Sequence, residues 1–419
     1  MNAPFVVYLR SDAARYEAEI SYCFKLLGKN INKHIQVVAG DSHQPSVGFA
    51  DGSTIRLAQV WDKLLQASVD ASGIIRDSNH TPDLLASVFY LVNSLQEYTS
   101  PEKDELGRFR YQASYQYKHT LARHNLVQQH LNEICRLLQW QPSQEKTKFF
   151  LSHDIDSVYG AWLEDGFYVL KKGRVDLFLA MLFRMTIARP DWLNMDQIMK
   201  LEDIHGCKST FFWLVKKGRI NQRERNADYR FRSPSIQKIV GRTVAAGFGR
   251  GIHKSISDTS LADECHLLGA EVKANRYHYL KFNLPQAWRE IESAELAMDA
   301  SLGFADAMGF RNSYGLPFNP YSFETNTPHH FIEVPLHVMD RTFFQYQKNS
   351  PQHAATEIID FFEANRTSCV ISVLWHNNFF SNYKFKGYGQ LYQKILGYIH
   401  ESKSATVIPE ELISRYSFY

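Results

Sequence analysis

The hydrophobic positions of this chain follow one pattern up to about residue 145 and another beyond it. Phe5 to Leu9 is an apolar run of strand length, after which Tyr16, Ile20, Cys23, Phe24 and Leu27 recur at the three-and-four spacing of a helix face. Leu84, Leu85, Val88, Leu91 and Leu95 repeat that spacing behind Asp83, and a further helical pattern surrounds Leu131 to Leu138. Gln141-Pro142-Ser143-Gln144-Glu145-Lys146 is polar and broken by proline. A smaller mixed α/β domain over residues 1–145 is therefore expected, followed by a second domain over 146–419.

In the second part, short buried-strand runs alternate with helical stripes. Phe149-Phe150-Leu151 and Ser209 to Val215 read as strands, and Ser233-Pro234 opens a helix with Ile236, Ile239, Val240 and Val244 on one face, ended by Gly247. Three more helices are expected: one bearing Leu261, Cys265, Leu268 and Val272, one bearing Trp288, Ile291, Met298 and Leu302, and one bearing Ala355, Ile358, Ile359 and Phe362. Cys369 to Leu374 reads as a buried strand, and Leu391, Ile395, Leu396 and Ile399 form a last helical stripe. This alternation predicts an α/β fold with a mostly parallel sheet or barrel.

Composition narrows the function classes. The chain has 419 residues, room for two domains, and a net charge of +3 with interspersed signs, which makes no case for nucleic acid or an anionic membrane as the main partner. Cys23, Cys135, Cys207, Cys265 and Cys369 are scattered without a C-x-x-C spacing, against both a disulfide framework and a thiolate zinc site. The apolar start is interrupted at Arg10 and Asp12, and no later run has the length of a membrane span. A cytoplasmic protein is expected; nothing in the sequence fixes its oligomeric state.

The chemistry is concentrated where strands end. Ser152-His153-Asp154-Ile155-Asp156-Ser157 follows an apolar run, and two carboxylates one residue apart can divide labour, one binding a divalent metal and the other moving protons. Asp and Ser are also common as plain loop caps. Further polar groups, His253, Arg276 with His278, Arg311 and His376, each follow a short β-branched or aromatic run. In a parallel α/β barrel such strand ends converge on one mouth.

In this order the clusters resemble the polysaccharide deacetylase superfamily, with its NodB-homology or carbohydrate esterase four-like fold, from about Lys146 to the C-terminus. The resemblance implies a distorted (β/α) barrel and a metal-dependent hydrolase that removes N-acetyl groups from the amino sugars of a poly- or oligosaccharide. It implies Asp154 as catalytic base and Asp156 as metal ligand, in the variant spelling with one residue between them. Gly251-Ile252-His253-Lys254-Ser255 matches the motif that supplies histidines to the metal, which implies His253 as a ligand. Ser257 stands where the family usually has a second histidine, and it is a poor zinc ligand. His278 is the candidate replacement; the alternative is a histidine packed between Tyr277 and Tyr279 in the wall. Gly309-Phe310-Arg311-Asn312 with Pro317 to Tyr321 resembles the arginine-proline motif, implying that Arg311 braces Asp154. Val373-Leu374-Trp375-His376 resembles the last motif, implying His376 as general acid toward the leaving group.

The implied cofactor is a divalent metal, zinc by default for Asp and His ligands, with nickel, cobalt or iron able to occupy the same set. Arg276, Tyr314, Trp375 and Phe379 are expected at the substrate, an acetylated amino-sugar oligomer or polymer. The rings that cluster after His376 either stack on sugar faces or cover the barrel mouth as core. An O-acetyl esterase, a small-amide hydrolase and a catalytically silent carbohydrate-binding protein are the rival readings. On Asp83-Leu84-Leu85-Ala86-Ser87 and Gly107-Arg108-Phe109, the first domain resembles the accessory region that precedes such domains in some bacterial polysaccharide-related proteins. Its polar residues form no acid, base or ligand grouping, so no chemistry is expected from it.

Overall fold

The computed structural model describes residues 5–40, 46–49, 54–187, 192–221, 224–269 and 272–419, and it sorts the apolar runs into two parallel sheets. In the first part, β1 (Phe5–Leu9), β2 (Ile35–Ala39), β3 (Ser46–Gly48) and β4 (Ile55–Arg56) lie in the order β2-β1-β3-β4. The amphipathic helix α1 (Glu17–Ile31) buries Ile20, Cys23, Phe24 and Leu27. A second helix, α2 (Leu84–Val92), is apolar nearly all round and starts at Asp83, whose carboxylate accepts the Ala86 N–H as an N-cap. It packs against α3 (Leu126–Leu137).

The second part contains β5 (Lys148–Ile155), β6 (Ser209–Trp213), β7 (Gly249–Lys254), β8 (Ala274–Tyr277), β9 (Met298–Asp299), β10 (Ile332–Glu333), β11 (Val338–Met339) and β12 (Val370–Leu374). Their order is β10-β9-β8-β7-β6-β5-β12-β11, and every pairing is parallel. The two edge strands, β10 and β11, are consecutive in the chain and joined only by residues 334–337. Such a link spans at most about 18 Å, whereas the edges of a flat eight-stranded sheet would stand about 34 Å apart. The sheet must therefore roll up. The result is a distorted (β/α) barrel with an unpaired seam between β10 and β11.

Parallel neighbours need crossovers, and helices supply most of them. Among these are α4 (Ala161–Lys171), α5 (Val175–Ile187) and α6 (Met195–Ile204) between β5 and β6, then α7 (Pro234–Ala245), α8 (Leu261–Leu268) and α9 (Gln286–Ser293) before the later strands. α10 (Pro351–Ala364) precedes β12, and α11 (Tyr388–Glu401) follows it. The helix expected to carry Met298 and Leu302 stops at Ser293: Glu295 takes a left-handed φ of 54°, and Met298 belongs to β9. Val272 likewise lies beyond the end of its expected helix at Leu268.

The apolar core runs without interruption from one part to the other, with Tyr22, Leu85 and Leu126 in one cluster with Trp213, Ile252 and Trp288. Polar contacts cross the same interface. Tyr22 Oη donates to the Asn319 carbonyl at 2.9 Å, and the Tyr321 N–H donates to Asn93 Oδ1 at 2.9 Å. No helix among the described residues is long and apolar enough to cross a membrane.

Candidate metal centre

Strand periodicity decides which residues of each cluster enter the barrel. Ser152 and Asp154 share one face of β5, and the register aligns Asp154 with Phe212 of β6 and Phe212 with Gly251 of β7. Two residues after Gly251, His253 is in register with Arg276 of β8, so Asp154, His253 and Arg276 all face the same interior. A side chain at position 251 would strike the Phe212 ring, since an added Cβ would lie 2.4 Å from it. Over that ring, 4.5 Å from its centroid, passes the Arg276 guanidinium. Its Nη1 donates to Asp154 Oδ1 at 3.0 Å and to Ser152 Oγ at 2.8 Å, while Nε donates to the Ala300 carbonyl at 2.8 Å.

His153 points the other way, as period two requires. Its Nε2 lies 2.8 Å from Glu202 Oε1 and its Nδ1 2.6 Å from the Trp375 carbonyl, in a fully buried network that includes Ser209 and Tyr392. It belongs to the core.

Asp156, His253 and His278 form the one group among the described residues able to hold a metal ion. The hydrogen bonds fix both tautomers. Nδ1 of His253 faces the Arg276 carbonyl at 2.9 Å, and Nε2 of His278 faces the Arg225 carbonyl at 2.8 Å; a carbonyl only accepts, so each of these nitrogens carries its proton. The opposite nitrogens, His253 Nε2 and His278 Nδ1, are left bare and meet at 2.9 Å. Two lone pairs that close require a cation or an added proton between them. Asp156 Oδ1 completes the group, 3.3 Å from His253 Nε2 and 3.5 Å from His278 Nδ1, and this buried oxygen has no hydrogen-bond partner. Tetrahedral donors around zinc, at their usual bond lengths, stand roughly 3.3 Å apart. The three donors fit that spacing, and histidines with the far nitrogen bound to a carbonyl are the usual form of metal-ligating imidazole.

The electrostatics match. Burial alone would raise the Asp154 carboxyl, but His253 and Arg276 outweigh it and hold it below the ordinary carboxylate value. Asp156 is likewise held down against burial by His278 and His253. Burial pushes His278 down to about 4, although Asp156 opposes it, whereas the two carboxylates overcome burial at His253 and raise it.

His376 lies two residues beyond the end of β12 and is held by Asp340, which directly follows β11. Asp340 Oδ2 accepts the His376 N–H at 2.5 Å, and Oδ1 lies 2.8 Å from Nδ1. The ring thus presents Nε2 to the site, 3.6 Å from Asp156 Oδ2 and 3.4 Å from Arg341 Nε. Asp154, Asp156, His253, His278 and His376 line one cavity of about 800 Å³. The first part of the chain also lines it, through the stretch from Lys103 to Arg110, which contributes Arg108 among others.

Two sets of expected positions lie elsewhere. Arg311 does not reach Asp154: its guanidinium is bound to Glu97, and Arg276 occupies the bracing position instead. Tyr314, Trp375 and Phe379 are buried at 1%, 0% and 0% exposure and pack as core, Phe379 against Phe385 and Trp375 against Tyr392, so none of them lines the cavity. Arg276 is also fully buried and acts on Asp154. Arg341 and Arg108 line the cavity and Asp340 holds His376, and none of the three carries an expected role in the sequence. For Asp340 a signal existed, an acid directly after the apolar pair Val338-Met339.

Residues 56–142 match the model of a family of unknown function, DUF7033. No curated protein matches the sequence. Among solved structures the chain is similar to a Mycobacterium smegmatis protein assigned as a polysaccharide deacetylase, at 10% identity and a TM-score of 0.39, over 64% of this chain and 89% of that one. It is similar to the 4-alpha-glucanotransferase of Thermococcus litoralis at 10% identity and a TM-score of 0.38, over 64% of this chain and 38% of that one. It is also similar to a CE4 family pseudoenzyme from Bacillus anthracis, at 9% identity and a TM-score of 0.31, over 65% of this chain and 67% of that one.

Proposed function

We propose that this chain is a metal-dependent hydrolase that removes N-acetyl groups from the amino sugars of an oligo- or polysaccharide. The observation that carries this reading is the pair of bare nitrogens, His253 Nε2 and His278 Nδ1, facing each other at 2.9 Å beside the unpartnered Asp156 Oδ1. A divalent metal held by these three, zinc by the donor set, would supply a Lewis acid for the acetyl carbonyl and lower the pKa of a water molecule.

The chain's own groups account for the proton movements. Asp154 stands outside the donor trio, kept ionised and oriented by Arg276, and takes a proton from the water as its oxygen attacks the acetyl carbon. On the other side of the site His376 presents Nε2 and passes a proton to the nitrogen as the carbon–nitrogen bond breaks, leaving acetate and a free amine. Asp340 accepts from Nδ1–H, so in the ring protonated on both nitrogens Nε2 is the one that gives up its proton. The test is metal analysis of the purified and reconstituted protein, together with acetate and amine release from N-acetylated oligosaccharides. Metal content near one per chain and equal yields of acetate and amine are expected. Absence of metal after reconstitution, or acetate released only from O-acetyl substrates, would overturn the reading.

A further inference from the structure

We infer that the region matched to the family of unknown function is part of the site itself, with Arg108 as a positioning residue for the ligand His278. This rests on the reading of Asp156, His253 and His278 as a metal centre. His278 is followed by two non-glycine residues in the left-handed conformation, Tyr279 at φ 59° and Leu280 at φ 53°. L side chains seldom adopt that backbone, and two in succession persist only where surrounding contacts hold them. The holding contact comes from 171 residues earlier in the chain: Arg108 Nη1 donates to the Tyr279 carbonyl at 2.9 Å.

Arg108 is itself immobilised through its other donors. Nε donates to Asp104 Oδ2 at 2.7 Å and Nη2 to Tyr346 Oη at 3.1 Å. Asp104 Oδ1 accepts the N–H groups of Leu106 and Arg108 at 2.9 Å each, so the loop that carries the guanidinium is closed on itself. From Tyr279 the contacts continue to the ligand. Its hydroxyl accepts the Arg225 N–H at 3.3 Å, and the Arg225 carbonyl is the partner of His278 Nε2. Arg108 therefore fixes the kink beside His278 and, through Arg225, the group that orients its ring. Loss of partners that orient a metal-ligating histidine commonly weakens metal affinity by roughly 10- to 100-fold.

The experiment compares full-length wild-type protein with Arg108→Ala and Arg108→Lys. Lysine keeps the charge but replaces the fork with a point donor. Zn2+ affinity by competition with a chromophoric chelator should fall roughly 10- to 100-fold in Arg108→Ala and by an intermediate factor in Arg108→Lys, with the visible absorption of the Co2+-loaded protein altered in both. A second readout needs no metal. In histidine-labelled metal-free protein, the imidazole 15N resonances should report a fixed Nε2-protonated tautomer for His278 and mixed tautomers once Arg108 is replaced. If wild-type protein binds no metal, the metal-centre reading fails and the resonances still decide the role of Arg108. Unchanged metal affinity, or unchanged His278 resonances in that metal-free case, in a folded Arg108 variant would overturn the assignment; the lysine variant serves if the alanine variant does not fold.

Discussion

Arg311 holds Glu97 through two parallel hydrogen bonds, Nε to Oε1 at 2.8 Å and Nη2 to Oε2 at 2.6 Å, across 214 residues of chain. Both side chains are buried, and the rings of Phe282, Phe304 and Phe109 surround the guanidinium. The pair clamps the first part of the chain onto the barrel. Replacing Arg311 by alanine strands a buried carboxylate, which costs about 3–5 kcal/mol. Arg311→Ala should therefore lower the denaturation midpoint sharply while leaving acetate release per folded molecule close to wild type. A stable Arg311→Ala protein with lost turnover but unchanged Zn2+ affinity would return Arg311 to the bracing role, since disturbed docking of Arg108 would weaken metal binding as well.

In the proposed mechanism that role falls to Arg276, whose Nη1 donates to Asp154 Oδ1 at 3.0 Å. Without its guanidinium, the buried Asp154 loses one of the charges that offset its desolvation, and its carboxyl moves up. Arg276→Ala should cost on the order of a hundredfold in kcat/KM. The sign of the accompanying pH effect is fixed: a base with a raised pKa is protonated at higher pH, so the acidic limb of the rate profile should shift upward. An unshifted acidic limb would assign that limb to another group.

How far each of these residues was legible depends on where its information lies. Periodicity over Phe149 to Asp156 is local, so strand β5, its inward face and the paired carboxylates are legible directly, and His278 is a candidate from its place at the end of β8, the third strand after β5. Asp340 and Arg341 sit after a strand of only two residues, so the local signal there, an acid after Val338-Met339, is far weaker than the run before Asp154. Partners separated by the length of a domain leave no local trace. The motif around Arg311 signals a buried arginine, but the choice between Asp154 and Glu97 is made by how the first part docks, and the contact from Arg108 to Tyr279 is set by the same docking. The helical pattern through Trp288 runs past the true helix end because Met298 falls on the same helical face as Ile291, seven residues on.

Asp340 acts on His376 as an orienting acceptor rather than through the substrate. Asp340→Asn preserves size but offers an amide that can donate where the carboxylate accepted, which favours the wrong imidazole tautomer. Amide hydrolysis should fall by roughly 10²- to 10⁴-fold, with metal content unchanged. Hydrolysis of an activated acetyl ester, whose leaving group departs without a proton, should fall much less. Equal losses on the two substrates would place His376 in some role other than protonating the amine.

The last prediction concerns stability of the metal-free protein against pH. His278 is depressed to about 4 in the folded state from an ordinary value of 6.5. Between those values the unfolded chain binds a proton that the folded one refuses, so this group makes stability rise with pH across that window. His253 is shifted the opposite way, above 6.5, by the two carboxylates. Its contribution is complete below 6.5 and is lost as pH rises through its folded value. Asp154 and Asp156 are depressed, so their contribution persists throughout and disappears only in stronger acid. Metal-free protein should thus have its highest Tm near pH 6.5 and a declining alkaline limb, where deprotonation leaves the two bare nitrogens opposed. A bound divalent cation occupies the place of that proton and cannot titrate away, so Zn2+ should remove the alkaline decline and raise Tm most above neutrality. Scanning calorimetry from pH 4 to 9 with chelator and with Zn2+ measures both curves, and parallel curves above pH 6.5 would show that the cation does not replace a proton between His253 and His278.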